Sequence, residues 1–180
     1  MGKIEEEFII CTYPRSGSHY LKDLVRQKLG ADLRKSHDPF LDFKNKITIV
    51  RNPLDSVTSA MVMEHRDPKK YTPERLDSQI ELYKIFYSEI VNNFEIIINY
   101  EVLKNNPDSV IKYLSEKMNL EIMNKEYVSN LENVKNNFDK YIITCKSKPI
   151  LYKISKEYFS NQDLVDCWKL YNHALTKKSV

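Results

Sequence analysis

Glycine is scarce in this chain, and the position of one glycine constrains the fold most. Average usage would give a chain of this length about 13 glycines, but only Gly2, Gly17 and Gly30 occur. Gly17 follows an apolar run at residues 8–12 that is typical of a β-strand, and it precedes leucine and valine residues at helical spacing over 21–29. We therefore predict a strand, a tight loop and a helix, with Gly30 as the C-terminal cap of that helix.

Strands and helices continue to alternate along the rest of the chain. β-branched and apolar runs predict further strands over 33–37, 47–50 and 95–100. Helical spacing behind Asn, Pro or Ser start signals predicts helices that begin at residues 53, 73, 107 and 160, and another over 126–135. This alternation predicts an α/β fold with a small parallel sheet flanked by helices. With 42% hydrophobic residues, the chain is expected to form a single domain over 1–180.

Composition and charge exclude several classes of partner. Lysine and arginine total 28 against 25 acidic residues, and a net charge of +3 is too balanced for a protein that coats nucleic acid. No apolar run reaches the roughly 20 residues that span a bilayer, and the N-terminus lacks the pattern of a signal peptide. The three cysteines have no CxxC spacing, so neither a disulfide framework nor a zinc site is expected. We expect a cytoplasmic protein with no membrane anchor, no nucleic-acid partner and no metal.

The loop around Gly17 has the composition of an anion site. Gly17 permits a tight bend, and the backbone amides of residues 16–20 can point at one spot where the helix dipole adds positive potential. The loop residues concerned are Arg15, Ser16, Gly17, Ser18, His19 and Tyr20. The alternative is an ordinary βα turn with a serine N-cap. A Walker A loop is excluded because the G-x-x-x-x-G-K-[ST] pattern is absent.

A second anion site is predicted after the strand at 47–50. Arg51 leaves the end of that strand, and Ser59 lies one turn beyond Asp55 on the same side of the next helix. Arg51 is a permanent fork-shaped donor and Ser59 is a hydroxyl donor, so the two could clamp a phosphate. Alternatively, Arg51 pairs with Asp55 to tie down the helix start, and Ser59 is merely solvated.

These two loops occur in the order found in a known enzyme family. TYPRSGSHYL, residues 12–21, resembles the loop with which sulfotransferases dependent on 3′-phosphoadenosine 5′-phosphosulfate (PAPS) hold the 5′-phosphosulfate. IVRNPLDSVTS, residues 49–59, resembles their 3′-phosphate motif. RKSH, residues 34–37, is similar to the family's Lys-Ser/Thr-His element, and NYEVLK, residues 99–104, is similar to its Tyr-Glu-Asp-Leu-Lys element. The resemblance implies the P-loop-NTPase-like sulfotransferase architecture.

The resemblance also implies roles for individual residues. His37 would be the catalytic base, Arg15 would stabilise the leaving phosphate, and Lys35 would stabilise the sulfuryl oxygens. PAPS would be the sulfuryl donor, with no metal, and the acceptor would be a hydroxyl or amine of a small molecule or glycan. The residues implied in nucleotide binding are Arg15, Ser16, Gly17, Ser18, His19, Tyr20, Arg51, Ser59 and Tyr100.

The chain departs from the family pattern, and two other functions stay open. Arg15 stands where the family has Lys, and Tyr20 stands where it has Trp. The Arg-Lys-Gly/Gly-Asp-Trp element that closes over the nucleotide has no counterpart, since no glycine follows Gly30. The missing closing element suggests, as one alternative, a catalytically weak module that binds 3′-phosphoadenosine nucleotides. A small P-loop-type kinase would share the fold, but it needs a lysine-bearing loop and a magnesium site.

Overall fold

A parallel sheet of four strands organises the part of the chain that the structure describes. The structure is a computed structural model, and the described residues are 7–64, 72–124, 161–177 and 180. The strands are β1 (Phe8–Cys11), β2 (Arg34–Ser36), β3 (Asn45–Val50) and β4 (Ile96–Asn99). Their order is β2-β1-β3-β4, and all neighbouring strands are parallel. The predicted small parallel sheet is confirmed.

Helices connect the strands and cover the sheet. They are α1 (Ser18–Leu29), α2 (Pro53–Glu64), α3 (Pro73–Asn93), α4 (Tyr100–Asn105), α5 (Pro107–Met118) and α6 (Asn161–Thr176). The predicted α/β class is therefore confirmed, whereas the helix predicted over 126–135 lies outside the described residues. Within the described ranges, no helix combines the length and the apolar character needed to cross a membrane.

Side chains of β1, β3 and β4 enter two hydrophobic cores, one on either face of the sheet. On one face, Phe8 and Ile10 of β1 pack with the apolar side chains of α1 and α5. On the other face, Ile9 and Cys11 pack with side chains of α2, α3 and α6. Successive strand residues point to opposite faces, and both faces are covered. This is why β1, β4 and the second half of β3 are largely apolar instead of alternating, whereas the side chains of β2 are polar and are exposed or half-buried.

Local signals set the ends of two helices. Gly30 follows α1 in the left-handed conformation, with a φ of 73°, and its N–H donates to the Arg26 carbonyl. This confirms the predicted C-cap. At the start of α2, the Asn52 side chain accepts a hydrogen bond from the Asp55 amide and donates one to the Asp55 carboxylate, both at 2.9 Å. Because Pro53 occupies the first helical position, the predicted start of this helix is confirmed as well.

The strand predicted over 95–100 is too long by one residue at each end. β4 covers Ile96–Asn99, and Tyr100 is the first residue of α4. The Asn99 side chain accepts a hydrogen bond from the Glu101 amide at 2.9 Å and so caps this short helix. An asparagine cap supplies a local partner for the amides of a helix start, which ends the strand. Tyr100 therefore belongs to a helix start at the edge of the sheet.

We expect Gly30→Ala to lower the free energy of unfolding by about 1–2 kcal/mol, because a residue with a Cβ is strained in the left-handed conformation. Gly30→Asn should cost less, since asparagine tolerates this conformation. Urea denaturation of the parent and both variants measures the difference. Equal unfolding free energies for the parent and Gly30→Ala would show that the cap does not stabilise the fold.

Candidate functional site

Four chain segments meet at the carboxyl edge of the sheet, because parallel strands all end on the same side. The segments after β1, β2, β3 and β4 lead to Gly17, His37, Arg51 and Tyr100 respectively. From β1 the chain first forms β2 on one side of β1, and then β3 on the other side. In open parallel sheets, the ligand crevice lies where the strand order switches in this way. The two predicted anion sites therefore flank the switch between β1 and β3.

The loop after β1 has an unusual backbone conformation. Arg15 and Gly17 have positive φ angles of 67° and 97°. Gly17 is the N-cap residue of α1, and no side chain caps this helix. The alternative of a serine-capped turn is therefore wrong, and no side chain of the described residues caps the first amides of α1. A Cβ on Gly17 would lie 3.3 Å from the Tyr100 ring, so the glycine allows the loop to approach α4 closely.

Buried polar atoms without a hydrogen-bond partner cluster at this switch. Among the described residues, Thr12 Oγ1, Ser16 Oγ and Arg51 Nε are such atoms, and a further one, Thr48 Oγ1, lies inside β3. Thr12 and Ser16 are fully buried, and Arg51 is 9% exposed. An unpaired buried donor or acceptor costs about 1–3 kcal/mol, and proteins pair nearly all of them. The cluster therefore indicates a site for a polar ligand.

The Arg51 guanidinium connects the segment after β3 with the loop after β1 and with α4. Nη1 donates to the Arg15 carbonyl oxygen at 2.8 Å, and Cζ lies 4.3 Å from the centroid of the Tyr100 ring in a cation–π contact. Nη2 lies 3.7 Å from the Asp55 carboxylate, so the alternative pairing of Arg51 with Asp55 is present. That pairing does not satisfy Nε. The guanidinium thus keeps a donor that an anion could use.

The site holds more positive than negative charge. Partial burial, followed by the neighbouring Arg51 charge, lowers the pKa of Arg15, but an arginine side chain stays protonated in proteins. In the described ranges, Asp55 pairs with Arg51 and no ion pair joins Arg15 to a carboxylate. Two neighbouring guanidinium groups with a single paired carboxylate favour an anionic ligand.

The fold sets which ring nitrogen of His37 acts as an acceptor. Nδ1 lies 2.7 Å from the Thr12 carbonyl oxygen, and a carbonyl can only accept, so Nδ1 holds the proton. In the neutral ring the lone pair is then on Nε2. The Thr12 N–H donates to the Ser36 carbonyl at 3.2 Å, which places His37 beside the loop after β1. His37 is exposed, so its Nε2 is suited to accept a proton.

His19 is engaged by Lys35, and its ring is not arranged as a base. Lys35 Nζ lies 2.6 Å from His19 Nε2, and an ammonium group can only donate, so Nε2 accepts. Burial and then the Lys35 charge lower the pKa of His19. Burial and then the Lys22 charge lower the pKa of Lys35. The contact holds the Lys35 ammonium at the start of α1. Lys35 itself lies on β2, the strand that leads to His37.

The other predicted residues lie nearby, with fewer contacts to the switch. Ser59 is 4% exposed on α2, so the alternative of a solvated Ser59 is wrong. Ser18 is buried at the first position of α1, and the partly buried Tyr20 packs on the core beneath that helix. The contacts that hold the Arg51 guanidinium are those with Arg15, Asp55 and Tyr100.

Sequence reasoning missed two tyrosines of α3 that contact the site. The hydroxyl groups of Tyr83 and Tyr87 donate to the Arg51 carbonyl oxygen at 3.0 and 2.8 Å. Helical spacing assigns both residues to the apolar face of α3 and therefore to the core, where they are indeed fully buried. A buried tyrosine usually finds a hydrogen-bond partner, so the sequence indicates only that the two buried hydroxyls need partners. Sequence spacing does not identify that partner.

Comparison with known proteins provides no relative from which the site could be inferred. No protein-family model, curated protein or solved structure matches the chain.

Over the described ranges, no group of three or more His, Cys, Asp or Glu side chains could hold a metal ion. The site is defined by the contacts of Arg51 with Arg15 and Tyr100, by the buried Ser16 hydroxyl and by the acceptor nitrogen of His37.

We expect Lys35→Met to raise the pKa of His19, because it removes both a positive charge and the hydrogen bond that stabilises the neutral ring. Burial, the larger cause, remains, so the pKa should stay below the ordinary histidine value. An NMR titration of the His19 ring proton measures the change. Lys28→Met, in the last turn of α1, is the control and should leave the pKa of His19 as it is. No change in Lys35→Met would contradict the assigned contact.

Proposed function

We propose that this chain is a sulfotransferase that transfers a sulfuryl group from PAPS to a hydroxyl or amine of an acceptor. The observation that supports it most is that two buried donors without a partner lie at the same edge of the sheet as a histidine. The unpartnered Ser16 hydroxyl and Arg51 Nε lie at the carboxyl edge of the sheet, where the segment after β2 leads to His37. The motifs that resemble those of PAPS-dependent sulfotransferases support the same function. The P-loop-NTPase-like sulfotransferase architecture is part of this proposal.

The two anion sites would bind the two ends of the donor nucleotide. The first amides of α1, the Ser16 hydroxyl and Arg15 would hold the 5′-phosphosulfate. Arg51 would hold the 3′-phosphate through its unpartnered Nε, with the buried Ser59 hydroxyl as a second donor. An anion would fit here because the Ser16 hydroxyl and Arg51 Nε are buried donors without an acceptor among the described residues. The Tyr100 ring, which already contacts Arg51, would supply an aromatic surface next to the nucleotide.

His37 would act as the general base of the transfer. Its Nε2 would accept the proton of the acceptor O–H or N–H while the acceptor atom forms a bond to sulfur. In the same displacement the bond between sulfur and the bridging oxygen breaks, and its electron pair stays on the leaving bisphosphate. Arg15 would stabilise the charge on the leaving phosphate, and Lys35 would stabilise the sulfuryl oxygens. Positioning and electrostatics therefore supply the catalysis.

A module that binds the nucleotide without transfer is the second candidate. It is favoured by the absence of any glycine after Gly30, because the closing element of the cytosolic sulfotransferases contains glycine. Radiolabelled PAPS, incubated with hydroxyl and amine acceptors of several classes, distinguishes the two candidates. Label on an acceptor supports the enzyme, whereas bound nucleotide without label transfer supports the module.

We expect Arg51→Met to weaken the binding of adenosine 3′,5′-bisphosphate by roughly tenfold to a hundredfold, the usual effect of losing a hydrogen bond to a charged group. Binding of adenosine 5′-phosphate should change much less, because that ligand has no 3′-phosphate. Methionine keeps an unbranched apolar stem against Tyr100, so the packing is largely retained. Calorimetry without added metal gives both dissociation constants.

The matched control for this variant is Arg26→Met. Arg26 is an exposed arginine of α1 that pairs with Asp23 at 3.2 Å, so its removal changes the net charge equally but spares the site. It should bind both nucleotides as the parent does. If Arg51→Met weakens the binding of both nucleotides equally, Arg51 does not recognise the 3′-phosphate.

We expect His37→Asn to reduce the rate of single-turnover sulfuryl transfer by about 10²- to 10⁴-fold, the usual effect of removing a positioned base. Nucleotide affinity should barely change, since no phosphate contact is lost. His173→Asn, an exposed histidine on α6, should behave as the parent. A fully active His37→Asn enzyme would refute the role of this residue as the base.

A further inference from the structure

Two tyrosine side chains hold the peptide of Arg51. The Arg51 N–H donates to the Tyr87 hydroxyl oxygen at 2.7 Å. The hydroxyls of Tyr87 and Tyr83 in turn donate to the Arg51 carbonyl oxygen at 2.8 and 3.0 Å. The Ser56 hydroxyl is a more distant donor to the same oxygen, at 3.4 Å. The Arg51 backbone is thus anchored to α3 through both of its polar groups.

The tyrosines provide hydrogen bonds at the point where the sheet stops providing them. β3 pairs with β4 as far as Val50 and Asn99, so the Arg51 peptide lies just past the ladder. A buried peptide in this position needs other partners. The hydroxyls of Tyr83 and Tyr87 supply them, and burial raises the pKa of both, so each keeps the proton that it donates.

The two hydroxyls are held in a packed aromatic cluster. The rings of Tyr83 and Tyr87 stack with their centroids 3.9 Å apart, and both side chains are fully buried. Tyr13, from the loop after β1, packs edge-on against Tyr83 at 5.3 Å. Its hydroxyl donates to the side-chain and carbonyl oxygens of Gln79, at 2.9 and 3.2 Å, whereas the hydroxyls of Tyr83 and Tyr87 donate to Arg51. Tyr13 is therefore a matched control within the same cluster.

The anchored peptide determines where the Arg51 guanidinium can reach. Arg15 and Tyr100 contact the guanidinium at the tip of the side chain, while the tyrosines hold the backbone at its base. A guanidinium binds an anion through a planar fork, so its orientation decides how well it binds. We infer that Tyr83 and Tyr87 are positioning residues that set the selectivity of this site for a nucleotide with a 3′-phosphate. The inference rests on the proposed function of Arg51.

The test is the ratio of two dissociation constants, that for adenosine 5′-phosphate divided by that for adenosine 3′,5′-bisphosphate. We expect Tyr87→Phe to reduce this ratio by about threefold to tenfold, the range for losing a neutral hydrogen bond. Tyr83→Phe removes one bond to the carbonyl and leaves those of Tyr87, so it should reduce the ratio less. It also serves as the second variant if Tyr87→Phe folds poorly. Tyr13→Phe should keep the parent ratio.

Repeating the measurement in the Arg51→Met background separates positioning from a general loss of structure. There, Tyr87→Phe should leave the ratio unchanged, because no guanidinium remains to be positioned. The inference is overturned if Tyr87→Phe has the same effect with and without Arg51, or if both tyrosine variants keep the parent ratio. Either result leaves the proposed function standing. A parent that binds the two nucleotides equally overturns the proposed reading of the 3′-phosphate, and the inference with it.

Discussion

The candidate site depends on the switch in strand order beside β1. Because β1 pairs with β2 on one side and with β3 on the other, the segments that follow β1 and β3 leave the sheet at neighbouring points. Backbone groups there lose the partners that a continuing ladder would provide, and they need other partners. The Arg51 peptide is bonded to Tyr83 and Tyr87, whereas the Ser16 hydroxyl and Arg51 Nε have no partner among the described residues. The end of the ladder therefore accounts for the bonds of the Arg51 peptide to the tyrosines, and it leaves the side chains of the two segments free to form a polar site.

Features that depend on a few consecutive residues could be predicted from the sequence. The apolar runs of β1 and β3 and the apolar face of α3 follow from side-chain periodicity. The pairing of Asn52 with Asp55 at the start of α2 and the left-handed Gly30 follow from the chemistry of single residues. The end of β4 was misplaced because the Asn99 side chain forms a helix cap in competition with the strand.

Contacts between residues far apart in the sequence could not be predicted. Periodicity places Tyr83 and Tyr87 in the core, but it contains no information about which backbone their hydroxyls would meet. The order of the strands, the contact of Arg51 with Tyr100 and the pairing of Lys35 with His19 are of the same kind. The location of the candidate residues at the carboxyl edge of the sheet could be predicted, because the segments that contain them follow parallel strands. Their use in sulfuryl transfer stays a prediction.

The site also contains energetically unfavourable features. Arg15 is a non-glycine residue with a φ of 67°, a conformation that costs roughly 1–2 kcal/mol. The buried Ser16 and Arg51 atoms without partners add about 1–3 kcal/mol each. Because a whole domain is stable by only about 5–15 kcal/mol, such features persist only where the surrounding packing determines them. The tyrosine cluster beneath Arg51 and the two cores provide that packing. An anion that accepts hydrogen bonds from Ser16 and Arg51 would remove the cost of their unpaired donors, so that cost and the proposed affinity for an anion have one physical origin.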